Sequence, residues 1–195
     1  VPVCGASRCS VLTGTRPTPQ RFTNYDSRAD REAPGVPTLL HQLKDHGYRL
    51  AGDSKVLHQP QDHADVWDAF NDGFHANHTT HWHSDEANHL ALEGARVAKG
   101  KRPRRGPAYE RVDVPDTAHH DGAMCQWPLR ELEQMAADED TPFALFFGSL
   151  NVHLPFKAPK KYWGLYNPNA LPLHDPANRP RDVPRAGLPD SYELR

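Results

Sequence analysis

The chain has 195 residues, of which 37% are hydrophobic and 25% charged, and 19 are proline, a composition that suits one loop-rich, water-soluble domain with its own core. A formal net charge of −2 gives no general case for nucleic acid, and no apolar run approaches the ~20 residues of a membrane span. The 3 cysteines contain no Cys-x-x-Cys pair, which argues against a disulfide framework or a structural zinc site.

In chain order, Cys4-Gly5-Ala6-Ser7-Arg8 comes first and places a thiol and a guanidinium one helical turn apart. Gly14 and Pro17 stop a short helix predicted from about Ala6 to Thr13. Cys4 then lies at or just before the helix N-terminus, where backbone N–H groups favour an anion. A phosphatase loop with five residues between Cys and Arg would need Arg where Ser10 stands, so that chemistry fails on count. Residues 18–35 read as loop. Pro37 to Gly47 reads as an amphipathic helix with Leu39, Leu40 and Leu43 on one face, followed by a short buried strand from Tyr48 to about Gly52. That strand delivers Asp53-Ser54-Lys55-Val56-Leu57-His58 to the sheet's carboxyl edge, where open α/β folds put their ligands.

Residues 59–83 include His75, His78, His81 and His83, which makes a metal conceivable. Without helical regularity or acidic partners at fixed spacing, the segment reads instead as a His-rich surface insertion. Ser84 to Lys99 is a predicted helix ending at Gly100, the basic cluster Lys99 to Arg105 a solvated loop, and 101–124 extended loop. Pro128 to Ala137 is a second amphipathic helix, with Leu129, Leu132, Met135 and Ala136 as its core face. Pro142 to Gly148 is a continuous apolar run, as expected of a central parallel strand, and it feeds Asn151-Val152-His153-Leu154-Pro155-Phe156. Beyond Lys157 the chain reads as Pro-rich loop, with Tyr162, Trp163 and Tyr166 packing on the domain. Three strand ends thus each carry a polar group of catalytic type: Cys4 with Arg8, Lys55 with His58, and His153.

Cys4-x-Ala6-x-Arg8 with the tail Leu12-Thr13-Gly14-x-x-Pro17 resembles the sulfatase signature, in which the cysteine is oxidised to formylglycine. Ala6 stands where Pro is commonest and Gly5 where Ser, Thr or Ala is usual. Ser54-Lys55-Val56-Leu57-His58 is similar to the Gly-Lys-Val-Phe-His element of the iduronate-2-sulfatase-like branch, and Asn151 to Phe156 to its Lys-Pro-His-Ile-Pro-Phe element. The resemblance runs from Val1 to roughly Leu188. It implies an α/β, alkaline-phosphatase-like fold with a mostly parallel sheet flanked by helices, residues 1–195 being part of that catalytic domain, truncated at both ends. It implies a sulfate-ester hydrolase acting on a sulfated sugar or uronate, matured by a formylglycine-generating enzyme and placed in the periplasm or secreted. By the same resemblance the hydrate of formylglycine 4 attacks sulfur, Arg8 holds it, Lys55 binds sulfate oxygens, His58 orients the hydrate and His153 protonates the leaving oxygen. One Ca2+ is implied, with formylglycine 4 among its ligands and the acidic ligands outside this chain; Asp53 and Asp62 are not spaced to replace them. Two alternatives stand beside it: a phosphate or phosphonate ester hydrolase with the same nucleophile, and a non-catalytic His-rich metal-binding module.

Overall fold

The computed structural model describes residues 3–72, 82–84, 87, 107–172 and 182. Helix α1 (Cys4–Thr13) starts earlier than the turn signals indicate, because extended Val3 serves as its N-cap, and it ends at Gly14 in the left-handed conformation (φ 66°) that the stop signal requires. Cys4 is therefore inside the first turn. Helix α2 (Ala29–Glu32) falls within the predicted 18–35 loop. Its cause is distant in sequence: the Asp62 carboxylate accepts from the amides of Ala29 at 2.8 Å and Asp30 at 3.0 Å.

Helix α3 (Leu39–Asp45) begins behind Pro37 with a capping box, in which Thr38 Oγ1 accepts from the His41 amide at 3.3 Å and His41 Nδ1 reaches back to the Thr38 amide. Leu40 is buried and Leu43 partly so, but Leu39 is half exposed. Consecutive helical residues differ by about 100° around the axis, so a core centred on Leu40 leaves Leu39 outside.

The strands are β1 (Arg49–Ser54), β2 (Ala69–Asn71), β3 (Tyr109–Val112), β4 (Phe143–Gly148) and β5 (Phe156–Pro159). They form a parallel sheet of order β2-β1-β4 and a parallel β3-β5 pair. Three expectations need correction here. Among the described residues β1 is the central strand and β4 an edge, because the partner on β1's other side comes from residues 69–71. For the same reason 59–72 is not a surface insertion: it carries a 3₁₀ turn (Ala64–Val66), buried Val66 and Asp62, and β2 itself. Residues 73–81, which include His75, His78 and His81, lie outside the described residues. The predicted 101–124 loop holds β3, a 3₁₀ turn (Asp116–Ala118) and helix α4 (His120–Met124), built on pairing with β5 that no local pattern announces. Of the predicted helix from Ser84, only the start is described, where Ser84 Oγ accepts from the Ala87 amide at 3.1 Å.

Helix α5 (Gln126–Ala136) buries Pro128 and Met135, which are seven apart and share one stripe, while Leu129 and Leu132 are exposed by 54% and 40%, contrary to the predicted face. The pleat divides the sheet. Leu50, with neighbours Ala144 and Phe146, joins Leu12, Leu40, Leu57 and Val66 on the α1 and α3 side. Arg49, Ala51 and Asp53 face the other way, and Arg49 meets Glu131 of α5 at 3.5 Å. A second cluster of Ala6, Cys9, Phe22, Ala29 and Ala33 joins α1 to α2. Helix α6 (Lys160–Trp163) follows β5, where loop was expected, with Trp163 stacked 5.5 Å from Tyr109 and Tyr162 exposed. The chain is thus α/β, with parallel strands flanked by helices. It divides into units 1–163 and 164–195; in the second, Tyr166 is exposed and a 3₁₀ turn (Pro168–Ala170) is capped by Asn167. No helix among the described residues is long and apolar enough to cross a membrane.

Parallel pairing brings Ser54 beside Gly148, where a Cβ would stand 2.1 Å from the Lys55 carbonyl carbon and 2.3 Å from its oxygen. Backbone, not a flexible side-chain end, would have to yield. Gly148→Ala is expected to cost about 1–3 kcal/mol, read as a lowered midpoint in thermal unfolding. An unchanged midpoint would show that the two strand ends part without cost.

Candidate active site

Four of the five predicted site residues meet through contacts. Cys4 occupies the first turn of α1, and its Sγ lies 3.5 Å from His58 Nδ1. One turn on, Arg8 reaches the same loop: its Nη1 donates to the carbonyl oxygens of Lys55, in a very short contact, and of Val56 at 3.1 Å. Lys55 itself is buried, 4% exposed, and its amide donates to Gly148 O at 3.2 Å. The turn carrying it opens at Ser54 with φ 59°, a left-handed conformation that glycine adopts without strain, which accounts physically for a Gly at this place in the resembled motif. Gly5 has a similar origin. A Cβ there would sit 2.0 Å from the Tyr25 carbonyl oxygen, so the residue after Cys4 is small because the Tyr25 backbone is pressed against it. Tyr25 also presents its ring to His58, edge to face at 6.2 Å.

His153 comes to the same edge of the sheet by a different route. It follows β4, the parallel neighbour of β1, in a turn where its amide donates to Leu150 O at 2.8 Å and Nδ1 lies 2.7 Å from Leu154 O. Sequence reasoning missed what holds that turn. The Asp121 carboxylate accepts from Ser149 Oγ and from the amides of Leu150 and Asn151, both at 2.9 Å. No motif marks Asp121; its role exists only once α4 is packed beside the end of β4.

Electrostatics separate the three cysteines. Burial, reinforced by the carboxylates of Asp62 and Glu32, pushes the Cys9 thiol up to about 12. Burial also raises Cys125, with Asp121 and Asp53 acting in the same direction. Both are held as inert thiols. Cys4 alone combines a helix N-terminus with a histidine and an arginine. Burial lowers Arg8 from its ordinary value while Cys4 pulls it back up, and a guanidinium remains charged regardless.

The implied calcium ion needs roughly six to eight oxygen ligands. Among the described residues Cys4 belongs to no group of three metal-ligating side chains. Asp62 is engaged by the α2 amides and Asp53 by Asn71 Nδ2 at 3.0 Å. The described residues of this chain therefore do not fit a calcium shell. His83, the one described member of the His-rich group, has its Nε2 2.9 Å from Ala118 O and its ring against His119.

Asp53 is fully buried, and desolvation pushes its carboxyl up to about 6 from 3.8, against opposing pulls from Asn71 and His120. The folded state therefore binds this proton more tightly than the unfolded chain. Stability from this group is complete below the ordinary carboxylate range and is lost as pH rises through about 6. Asp53→Asn is expected to flatten the decline in stability between those limits, measured by urea unfolding across a pH series. The same slope in parent and variant would refute the assignment.

No family profile matches the chain. It is 28% identical over 204 residues to "Iduronate 2-sulfatase" of Homo sapiens and 26% identical over 203 residues to that of Mus musculus, in each case covering 99% of this chain and 34% of the relative. A "Sulfatase" of Formosa agariphila is 26% identical over 201 residues, covering 96% of this chain and 37% of the relative. The chain thus spans about a third of the length of these relatives. The observed α/β architecture is consistent with the alkaline-phosphatase-like fold expected from the sequence. Over nearly all of its length, then, this chain is similar to sulfatases, the two iduronate 2-sulfatases among them.

Proposed function

We propose that the protein hydrolyses a sulfate ester on a sulfated sugar or uronate, with the hydrated aldehyde derived from Cys4 as nucleophile, and that this chain is part of its catalytic domain. The observation that carries the reading is Cys4 Sγ at the start of α1, 3.5 Å from His58 Nδ1, with Arg8 one turn away and tied to the Lys55 loop. A helix N-terminus, a guanidinium and a buried lysine together suit an oxyanion and the charge that builds on it during transfer. A secreted or periplasmic location belongs to the same reading.

Converted by a formylglycine-generating enzyme and hydrated, residue 4 supplies two geminal hydroxyls, one to attack sulfur and one to expel sulfate as the aldehyde returns. His58, in contact with the Cys4 side chain, orients the attacking hydroxyl and takes its proton. Arg8, braced against the carbonyls of Lys55 and Val56, turns its remaining donors toward the hydrate and offsets its charge. Lys55 contacts the sulfuryl oxygens as a point charge. His153 gives a proton to the leaving alkoxide as the sulfur–oxygen bond breaks, a task for a side chain that titrates near neutrality. Calcium, supplied with ligands from outside the described residues, would add charge compensation at the sulfate.

The protein carrying this chain, produced together with a formylglycine-generating enzyme, is expected to show the thiol-to-aldehyde mass change in the peptide containing Cys4. Cys4→Ala is expected to abolish aryl-sulfate hydrolysis, and His153→Ala to lower kcat by about 10²–10⁴-fold. Aryl sulfate should be cleaved in preference to aryl phosphate. Full activity with the thiol of Cys4 intact would overturn the mechanism.

A further inference from the structure

We propose that His41, His63 and Asp65 form a binding site for a divalent transition metal of zinc-like softness, separate from the Cys4 site. Their candidate ligand atoms all lie within 4.8 Å of one another. Two ligands of a tetrahedral zinc stand about 3.3 Å apart, given bond lengths of about 2.0–2.1 Å, so closure asks for modest side-chain rotation. The most exposed member, Asp65, is the one able to make it.

Each histidine is prepared by its surroundings. His41 Nδ1 lies 2.8 Å from Thr38 Oγ1 in the capping box of α3; donating its Nδ1–H to that hydroxyl, in place of accepting from the Thr38 amide at 3.4 Å, would leave Nε2 unprotonated as its ligand atom. An outer hydrogen bond that sets ring orientation is what metal-bound imidazoles usually have. His63 is held in the left-handed conformation at φ 50°, immediately before the 3₁₀ turn that carries Asp65. Its ring lies edge to face with His41 at 4.6 Å, and its buried Nε2 makes no hydrogen bond among the described residues. The nearest carboxylate oxygen, Asp62 Oδ1, is 3.7 Å away and already accepts from the Asp30 amide. Two imidazoles and one carboxylate select zinc and its neighbours over calcium or magnesium, and three protein ligands leave a position for water. The bound metal would join the first turn of α3 to the segment that descends from His58.

Zinc titrated calorimetrically into the chelator-stripped protein tests this. Relative to the parent, both His41→Gln, which keeps a capping-box residue at the third helical position, and Asp65→Ala are expected to lose one saturable equivalent or weaken it by about tenfold or more. Zinc held elsewhere, at Cys4 or the remaining histidines, appears equally in all three proteins and cancels. Cobalt should give the intense visible bands of a four-coordinate site in the parent and not in the variants. Because Asp65 is exposed, Asp65→Ala decides the matter even if His41→Gln folds poorly. Parent-like zinc stoichiometry and affinity in Asp65→Ala would overturn the proposal and leave the sulfate-ester reading untouched.

Discussion

The peptide joining Lys55 to Val56 is gripped from two sides, and the candidate site depends on that grip. From α1, Arg8 donates to both of its flanking carbonyl oxygens. From β4, Gly148 approaches so closely that a methyl group has no room, and its carbonyl takes the Lys55 amide. A parallel sheet brings the ends of β1 and β4 together, but it does not fix the turn beyond them. The guanidinium and the missing side chain do that, and the loop they hold carries His58 to within 3.5 Å of Cys4. Arg8 thus ties the helix that carries Cys4 to the loop that carries Lys55 and His58, and under the proposed mechanism it would also offset charge at residue 4.

What could be read from the sequence follows from how local each cause is. Gly14, Pro37 and Gly47 mark the ends of α1 and α3 by conformations that belong to single residues, and the apolar run at 143–148 is a strand on composition alone. That Cys4, Arg8, Lys55 and His58 come together was legible because they lie within two short motifs. Elements made by distant partners were not. Helix α2 exists because Asp62 receives its first amides, β2 because β1 has an open edge, and β3 because β5 returns beside it. The amphipathic faces of α3 and α5 were misplaced at Leu39 and Leu129 for a related reason: an apolar residue at the border of a stripe is buried only if a neighbour covers it, and the stripe does not say what the neighbour is.

The carboxylates around the sheet's carboxyl edge are each engaged away from Cys4, in a chain with slightly more acidic than basic residues. Asp62 is consumed by two backbone amides of α2, Asp121 by two amides and a hydroxyl of the turn before His153, and Asp53 is driven toward its protonated form by burial. Each acid is thus either paired with N–H donors or partly neutral, and none of these contacts is directed at Cys4. Under the proposed mechanism Arg8, Lys55 and the helix N-terminus would act on residue 4 while these three carboxylates are engaged elsewhere. An anionic ester entering this edge would meet donors already oriented by the fold, and the cost of arranging them is borne by folding rather than by the reaction.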